Sequence, residues 1–304
     1  MTAQPVTNVA PYHSQEIEKL LTAVREIDRI SNEAWQQTLT SRKKKEIEFH
    51  DAHRTRQEGV NSQRELEENL STTDSYEKFY GNKKYYSATG RSHDYVDHWI
   101  KTHAAGKVVL DYACGDGPNA MTAAAAGAAM VLGLDISPIS IENARRDAAR
   151  MGLNNTFFFQ ADAENTKLPD NSVDIVICSG MLHHLDLSYA FPELRRVMKP
   201  GGKILAVEAL DYNPAIKLYR MMTPAMRTDW EKAHILSHKD LRFAKRFFDV
   251  GNVHYWHIMG ILTPHMPKAF AGAINKIDSW LEKIPGIQMM SWIFTFELTK
   301  RAES

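Results

Sequence analysis

Five short apolar runs recur at regular intervals in the middle of the chain, and they constrain the fold more than any other feature. Strands that are apolar on both faces and alternate with helices are typical of a parallel sheet buried between two helical layers. Segments such as PISIENARRDAARMG and LSYAFPELRRVMKPGG have the periodicity of those helices. The sequence therefore predicts an α/β fold. In order, the runs are KVVLDYA, MVLGLDIS, TFFFQADA, VDIVICSG and GKILAVEAL.

Further segments extend this pattern on both sides. GNVHYWHIM (251–259) and SWIFTFELTK (291–300) predict two closing strands. Apolar residues recur at steps of three and four from Ser14, a candidate N-cap, and predict helices to about residue 70. The predicted organisation is a disordered leader at 1–13, an N-terminal helical cap at 14–100, and an α/β domain at 101–304 that contains a substrate-binding insert at about 211–250.

The charge balance and the cysteine count exclude several classes of protein. Lys+Arg and Asp+Glu are both 37, so no basic field favours nucleic acid. Cys114 and Cys178 are the only cysteines, and both lie in apolar runs, which predicts no disulfide and a reducing compartment. We find no signal-peptide pattern and no apolar run long enough to cross a bilayer. We predict a cytoplasmic protein without a nucleic-acid partner and without stable membrane insertion.

The first apolar run leads into a glycine turn, VVLDYACGDGPNA at 108–120. Gly115, Gly117 and Ala120 match the pattern G-x-G-x-x-G/A, and Asp135 follows about 20 residues later, as in dinucleotide-binding folds. The pattern alone fits several nucleotide cofactors. The two glycines could also form only a tight strand–helix turn, and Asp135 could be a helix cap.

Acidic residues in and near this turn argue against NAD. Asp116 places a carboxylate where a pyrophosphate would lie, and Pro118 removes a backbone N–H from the start of the helix. Asp111, at the end of the first strand, adds a second acid. The turn therefore suits a phosphate-free cofactor that carries an amino group and a positive charge.

In these motifs the chain resembles the class I S-adenosylmethionine (AdoMet)-dependent methyltransferases, in their small-molecule branch. The resemblance extends in order through about 107–210. It implies a Rossmann-like seven-stranded sheet with an antiparallel last strand pair, an N-terminal helical lid, AdoMet as cofactor, and methyl transfer by in-line displacement. The motifs that carry it are VLDYACGDG, LGLDIS, QADAENTKLPDNSVDIVICS, GMLHHL and LRRVMKPGGKILAVE.

The resemblance also implies a cofactor site. Asp135 would bind the ribose hydroxyls, Asp162 the adenine amino group, and Ala163 would offer a backbone N–H. Tyr85 and Tyr86 would lie over the sulfonium, whose charge an aromatic face attracts. Asp162 could instead cap a short helix at 163–166, and the tyrosines could only pack helix against sheet. The predicted cofactor residues are Tyr85, Tyr86, Arg91, Asp111, Gly115, Gly117, Asp135, Ile136, Asp162, Ala163 and Ser179.

Three residues are candidates for catalysis. His183 and His184 follow the fourth strand, where the methyl group would lie, and histidine suits the role of a base if the nucleophile carries a proton. Alternatively, one histidine packs under the sheet and the other caps a helix. Glu208, at the carboxyl edge of the sheet, could accept a proton, hold a cationic substrate or pair with an arginine.

Two regions are candidates for substrate binding. In FHDAHR, His50 and His53 share a helix face, but no clear third ligand accompanies them, so no metal is predicted. They could lie at the mouth of the active site or on a plain solvated helix. The insert has an apolar Met/aromatic wall and two arginines that could hold a carboxylate or phosphate or form surface ion pairs. Its candidates are Tyr212, Tyr219, Arg220, Arg227 and His234.

Taken together, the sequence predicts an AdoMet-dependent methyltransferase of secondary metabolism that acts on a small metabolite as a monomer or homodimer. Whether the acceptor atom is O, N, S or C stays open. The alternatives are a nicotinamide-dependent oxidoreductase and a non-catalytic nucleotide-sensing module on the same fold.

Overall fold

Seven strands form one mixed sheet in the computed structural model, which describes residues 14–30, 32–52, 89–224, 227–266 and 270–302. The strand order is β3-β2-β1-β4-β5-β7-β6. The first five strands pair in parallel, and β7 lies antiparallel between β5 and β6. The predicted Rossmann-like sheet with an antiparallel last pair is confirmed. The strands are β1 Val108–Tyr112, β2 Met130–Asp135, β3 Thr156–Gln160, β4 Val173–Ser179, β5 Met198–Ala209, β6 Asp249–Trp256 and β7 Ile293–Thr299.

Helices cover both faces of this sheet. The helix Pro138–Arg150 shows how the sequence starts them, because the Ser137 hydroxyl accepts the N–H of Ser140 at 3.1 Å and Pro138 occupies the first turn. The helices are Ser14–Asp28, Asn32–Gln37, a helical segment at 41–52, Gly90–His103, Pro118–Ala125, Pro138–Arg150, Leu187–Val197, Pro214–Met222, Asp229–Ala233, His238–Ala244 and Ala271–Leu281.

The apolar core has one cluster on each face of the sheet. On one face, Leu20, Val24 and Ile27 of the first helix belong to one apolar cluster with β3 residues such as Phe159. On the other face, the helices Gly90–His103 and Pro118–Ala125 supply Trp99, Ile100 and several alanines. Each fully buried aliphatic side chain contributes on the order of 1.5–3 kcal/mol to folding. The first helix is therefore part of the core, whereas the predicted leader at 1–13 lies outside the described residues.

A long segment separates the two closing strands. Residues 257–292 run between β6 and β7 and contain the 3-10 turn Gly260–His265 and the helix Ala271–Leu281. The Asp278 carboxylate accepts the backbone N–H groups of Met259 and Gly260 at 2.8 and 2.9 Å. The strands are thus an antiparallel pair but not a tight hairpin.

The helical segment at 41–52, here called the cover helix, lies against the carboxyl edge of the sheet. Glu46 and Ile47 are buried, and the Asp51 carboxylate accepts the Ser137 hydroxyl at 2.5 Å. The hypothesis of a plain solvated helix is wrong, because one face of this charged segment packs on the loops that follow the strands.

Both cysteines are buried and free in the structure. In the part of the chain that the structure describes, every helix is too short or too polar to span a bilayer.

Candidate active site

A cavity of about 570 Å³ opens between the cover helix and the carboxyl ends of β1, β2 and β4. Its place follows from the strand order. The neighbouring strands β1 and β4 are followed by connections that lead away in opposite directions, which leaves a crevice beyond the strand ends. The structure brings together seven of the predicted cofactor residues in its wall. They are Asp111, Gly115, Asp135, Ile136, Asp162, Ala163 and Ser179.

The glycine turn after β1 forms the floor of the cavity. Gly117 precedes the helix Pro118–Ala125 with a φ of +77°, a left-handed conformation that favours glycine. A Cβ at this position would also lie 2.8 Å from the Phe158 ring. Gly117 therefore does not face the cavity; it lets the turn lie close to β3.

The Asp135 carboxylate connects the turns that follow β1 and β2. Its two oxygens accept the N–H groups of Gly115 and Ser137, each at 2.8 Å. A carboxylate has about four lone-pair sites, so each oxygen keeps one for a further donor such as a ribose hydroxyl. The helix that follows is capped by Ser137, which leaves Asp135 without the alternative role of a cap.

Asp111 is buried beneath the same turn. Its Oδ2 accepts the N–H of Ala120 at 2.9 Å, and only 1% of the residue is exposed. Burial, with a smaller effect of the Asp135 charge, raises the pKa of Asp111 to about 8. The side chain is therefore largely protonated at neutral pH, and a cation bound nearby would favour its ionised form.

Asp162 has one of the two roles that the sequence left open, a cap, although the structure has a turn rather than a helix at 163–166. Its Oδ1 accepts the N–H of Glu164 at 2.9 Å and so caps the turn, while its Oδ2 lies 2.5 Å from Lys43 Nζ. Arg42 forms a second ion pair, to Glu164, at 2.5 Å. These pairs fix the cover helix to the loop after β3, at the side of the cavity where an adenine amino group would meet Asp162.

Glu208 holds the loop after β4 in place. Its Oε1 accepts the N–H groups of Met181 and Leu182 at 2.9 and 2.7 Å, and its Oε2 lies 2.6 Å from His183 Nδ1. Glu208 is buried and lines neither of the cavities described here. We therefore correct its predicted role from contact with a substrate to positioning of the 181–183 loop.

The two adjacent histidines differ in environment. Their rings lie 4.2 Å apart, and His184 lines the large cavity whereas His183 lines a smaller one. Burial alone would lower the pKa of His183, but the Glu208 carboxylate raises it above the usual value. Burial and the neighbouring His183 lower the pKa of His184 to about 3, so this imidazole is neutral.

The smaller cavity, about 80 Å³, lies on the insert side of His183. Tyr219, Arg220 and Arg227 of the predicted substrate residues line it, together with Glu231. Arg227 Nε lies 3.5 Å from Glu231 Oε1, and Arg220 Nη1 lies 3.5 Å from Asp211 Oδ1. Both arginines thus have acidic partners within the insert.

Three predicted residues lie elsewhere, for identifiable reasons. Arg91 makes a two-pronged ion pair with Glu282 at 3.0 and 2.7 Å, so its guanidinium is held away from the large cavity. The Tyr212 hydroxyl accepts the His238 backbone N–H at 3.0 Å, which closes a turn of the insert. His234 is exposed and stacks on Trp230, with ring centroids 3.7 Å apart. Tyr85, Tyr86 and His53 lie outside the described residues.

The cover helix contributes side chains that sequence reasoning missed. Arg42, Lys43, Glu46 and His50 all line the large cavity, and of these only His50 was a candidate. Positions 42, 46 and 50 are spaced by four residues and so share one helix face. That spacing was the available signal, although the high charge of the segment concealed it.

Comparison with known proteins points to a methyltransferase domain. Residues 109–202 match the family model described as a methyltransferase domain. The chain is 35% identical over 127 residues to a sterol 24-C-methyltransferase of Aspergillus fumigatus, across 41% of this chain and 33% of that protein. It is 35% identical over 102 residues to the 27-O-demethylrifamycin SV methyltransferase of Amycolatopsis mediterranei, across 33% and 38%. A ribosomal protein L11 methyltransferase of Burkholderia mallei is 36% identical over 107 residues, across 35% and 33%.

The chain spans between a third and two fifths of the length of these relatives. Among solved structures, a candidate sarcosine dimethylglycine methyltransferase from Galdieria sulphuraria superposes with a TM-score of 0.50 at 15% identity, over 67% of this chain and 85% of that one. At that identity the likeness supports the fold alone.

Proposed function

The chain carries a class I AdoMet-dependent methyltransferase domain, and we propose that it transfers the methyl group of AdoMet to a small molecule. The observation that carries the proposal is the acidic wall of the large cavity. Asp111 and Asp116, from β1 and the turn that follows it, converge there with Asp135 at the end of β2 and Asp162 in the loop after β3. Such a wall suits a ligand with a sulfonium and an ammonium group, whose charge would favour the ionised form of Asp111.

The hydrogen bonds of the glycine turn further favour AdoMet over NAD. Three of its N–H groups are already donated, from Gly115 to Asp135, from Gly117 to the Cys114 carbonyl, and from Ala120 to Asp111. A pyrophosphate is normally bound by free N–H groups at such a helix start. We therefore propose that Asp135 binds the ribose hydroxyls and that the loop 162–163 binds the adenine.

The loop 179–184 would then lie beside the reacting end of the cofactor. AdoMet bound there would supply an electrophilic methyl group for in-line displacement by a nucleophilic atom of the acceptor, with neutral S-adenosylhomocysteine as the leaving group. Alignment of two bound reactants can supply roughly 7–11 kcal/mol of the barrier reduction. Side chains of the cover helix line the large cavity, and side chains of the insert line the smaller one beside His183.

The enclosure also favours a small acceptor over a protein. Glu46 and His50 of the cover helix stand over the large cavity, and Glu231 and Arg227 of the insert close the smaller one. A protein segment would have to displace these elements. The relatives named above carry names that refer to a sterol, a rifamycin and a ribosomal protein, so their names alone do not choose the acceptor.

The proposal is tested by incubating the protein with methyl-labelled AdoMet and a host extract separated by size into metabolites and proteins. We expect label in a small molecule, and we expect calorimetry to detect binding of S-adenosylhomocysteine (AdoHcy) but not of NAD. Label confined to the protein fraction would contradict the small acceptor. Binding of NAD without AdoHcy would contradict the enzyme class.

A further inference from the structure

Three potential metal ligands meet in the wall of the large cavity. Glu46 Oε2 lies 3.1 Å from His184 Nδ1 and 3.6 Å from His50 Nε2. The ligand atoms of all three residues lie within 4.8 Å of one another. Two come from the cover helix and one from the turn after β4, so the cluster forms only where these elements pack.

Two of the three ligand–ligand distances are close to those in a coordination sphere. Metal–ligand bonds of about 2.0–2.2 Å place neighbouring ligand atoms roughly 3.0 to 3.4 Å apart in octahedral and tetrahedral spheres. The two contacts to Glu46 Oε2 lie close to that range. The contact to His50 is too long for a good hydrogen bond, and the four-residue spacing on the helix places the two side chains side by side.

Neighbouring groups orient the first ligand. The Thr228 hydroxyl donates to Glu46 Oε1 at 2.6 Å, which leaves Oε2 directed at the two imidazoles. Arg42 Nη1 donates to the His184 carbonyl at 2.9 Å and fixes the turn that carries the other ligand. Partners of this kind set ligand orientation in metal sites.

We propose that Glu46, His50 and His184 bind one divalent transition-metal ion, with its remaining coordination positions open to the large cavity. Two imidazoles and one carboxylate suit Zn²⁺ or Fe²⁺, whereas Mg²⁺ and Ca²⁺ prefer oxygen ligands alone. Three protein ligands with an open position are typical of a catalytic rather than a structural site.

The sequence could not show this set. His50 had no visible third ligand, because Glu46 and His184 are separated by 138 positions. The role of the ion rests on the proposed function: through its open coordination positions it would bind an oxygen of the acceptor beside the methyl donor. That consequence favours acceptors that bear a hydroxyl or a carboxylate; binding of the ion itself does not depend on it.

The test is a titration of the full-length, tag-free and chelator-stripped protein with Zn²⁺ in competition with a chromophoric chelator. We expect one Zn²⁺ per chain. Glu46→Gln, His50→Ala and His184→Ala should each weaken binding by at least about 100-fold, and Thr228→Val by about 10- to 100-fold. The matched controls, Glu48→Gln and His98→Ala, replace exposed residues and should bind as the wild type does.

A second readout does not depend on the variants. Co²⁺ bound to the wild type should show visible absorption that Zn²⁺ displaces stoichiometrically. Absence of stoichiometric binding to the wild type, or wild-type affinity in ligand variants with native circular dichroism, would overturn the inference. AdoHcy binding without Zn²⁺ binding would refute the metal site alone, and Zn²⁺ binding without AdoHcy binding would refute the proposed function alone.

Discussion

At the scale of single residues, Asp135 is the side chain on which cofactor binding depends most. Asp135→Ala removes the proposed acceptor of the ribose hydroxyls together with its hydrogen bonds to Gly115 and Ser137. We expect AdoHcy affinity to fall by about 1–3 kcal/mol, or roughly 5- to 150-fold, measured by calorimetry. Asp94→Ala, an exposed acid on the helix Gly90–His103, is the control. Unchanged affinity in Asp135→Ala would mean that the ribose is bound elsewhere.

The Asp111 carboxyl predicts how cofactor affinity depends on pH. Its pKa in the free protein is raised to about 8, and a bound α-ammonium group would lower it by favouring the carboxylate. A group whose pKa falls on binding releases a proton, so affinity should rise with pH up to about 8 and level off above it. AdoHcy titrations between about pH 6 and 9 measure this slope.

The matched variant for that slope is Asp111→Asn. It cannot ionise, so its affinity should be weaker and should lose the part of the pH dependence that comes from residue 111. A wild-type affinity that is flat across this range would show that the ammonium group does not meet Asp111.

At the scale of elements, the strands were predictable because their signal is local. All positions of β1 and of β2 are buried, and each reads as a continuous apolar run. The glycine turn after β1 was also predictable, since Gly117 is required by its own backbone angle and by its contact with Phe158. The two closing strands were recognised from aromatic and β-branched residues.

The helix at 41–52 was predictable, but its packing over the cavity was not predictable from its own residues. Its sequence is highly charged and suggests solvent exposure, yet Lys43 and Arg42 pair with acids 119 and 122 positions away. Glu208 was misassigned for the same reason, because its partners are backbone N–H groups of a loop that sequence alone does not place. Contacts at long sequence separation determine both roles.

We predict that the cover helix controls the exchange of the cofactor. Arg42→Ala removes the ion pair to Glu164, the hydrogen bond to the His184 carbonyl and the stacking on Trp230. Losing these contacts should weaken the closed position of the cover helix by about 1–2 kcal/mol, a value already reduced for the partial exposure of Arg42. AdoHcy release should then become roughly 5- to 30-fold faster in stopped-flow displacement.

Lys44→Ala serves as the control for this prediction, because Lys44 is exposed on the same helix. Hydrogen exchange over 41–52 should increase in Arg42→Ala and not in Lys44→Ala. An unchanged release rate in Arg42→Ala would mean that the helix does not close over the bound cofactor.

At the scale of the whole molecule, the strand order determines where the site lies, and the cover helix and the insert shape it. The connections after β1 and β4 lead away in opposite directions and leave a crevice. The acidic side chains that line this crevice make it suitable for AdoMet. The cover helix and the insert then enclose the end where the acceptor would bind. The cofactor class was visible in the sequence because its motifs are local and ordered, whereas the acceptor depends on how the distant segments pack.

The most direct test of the account is a crystal structure of the full-length protein with AdoHcy. We predict the ribose hydroxyls within hydrogen-bond distance of Asp135, the adenine at Asp162 and Ala163, and the amino group near Asp111. The large cavity left empty, or a pyrophosphate nucleotide bound on the glycine turn in its place, would contradict the central claim.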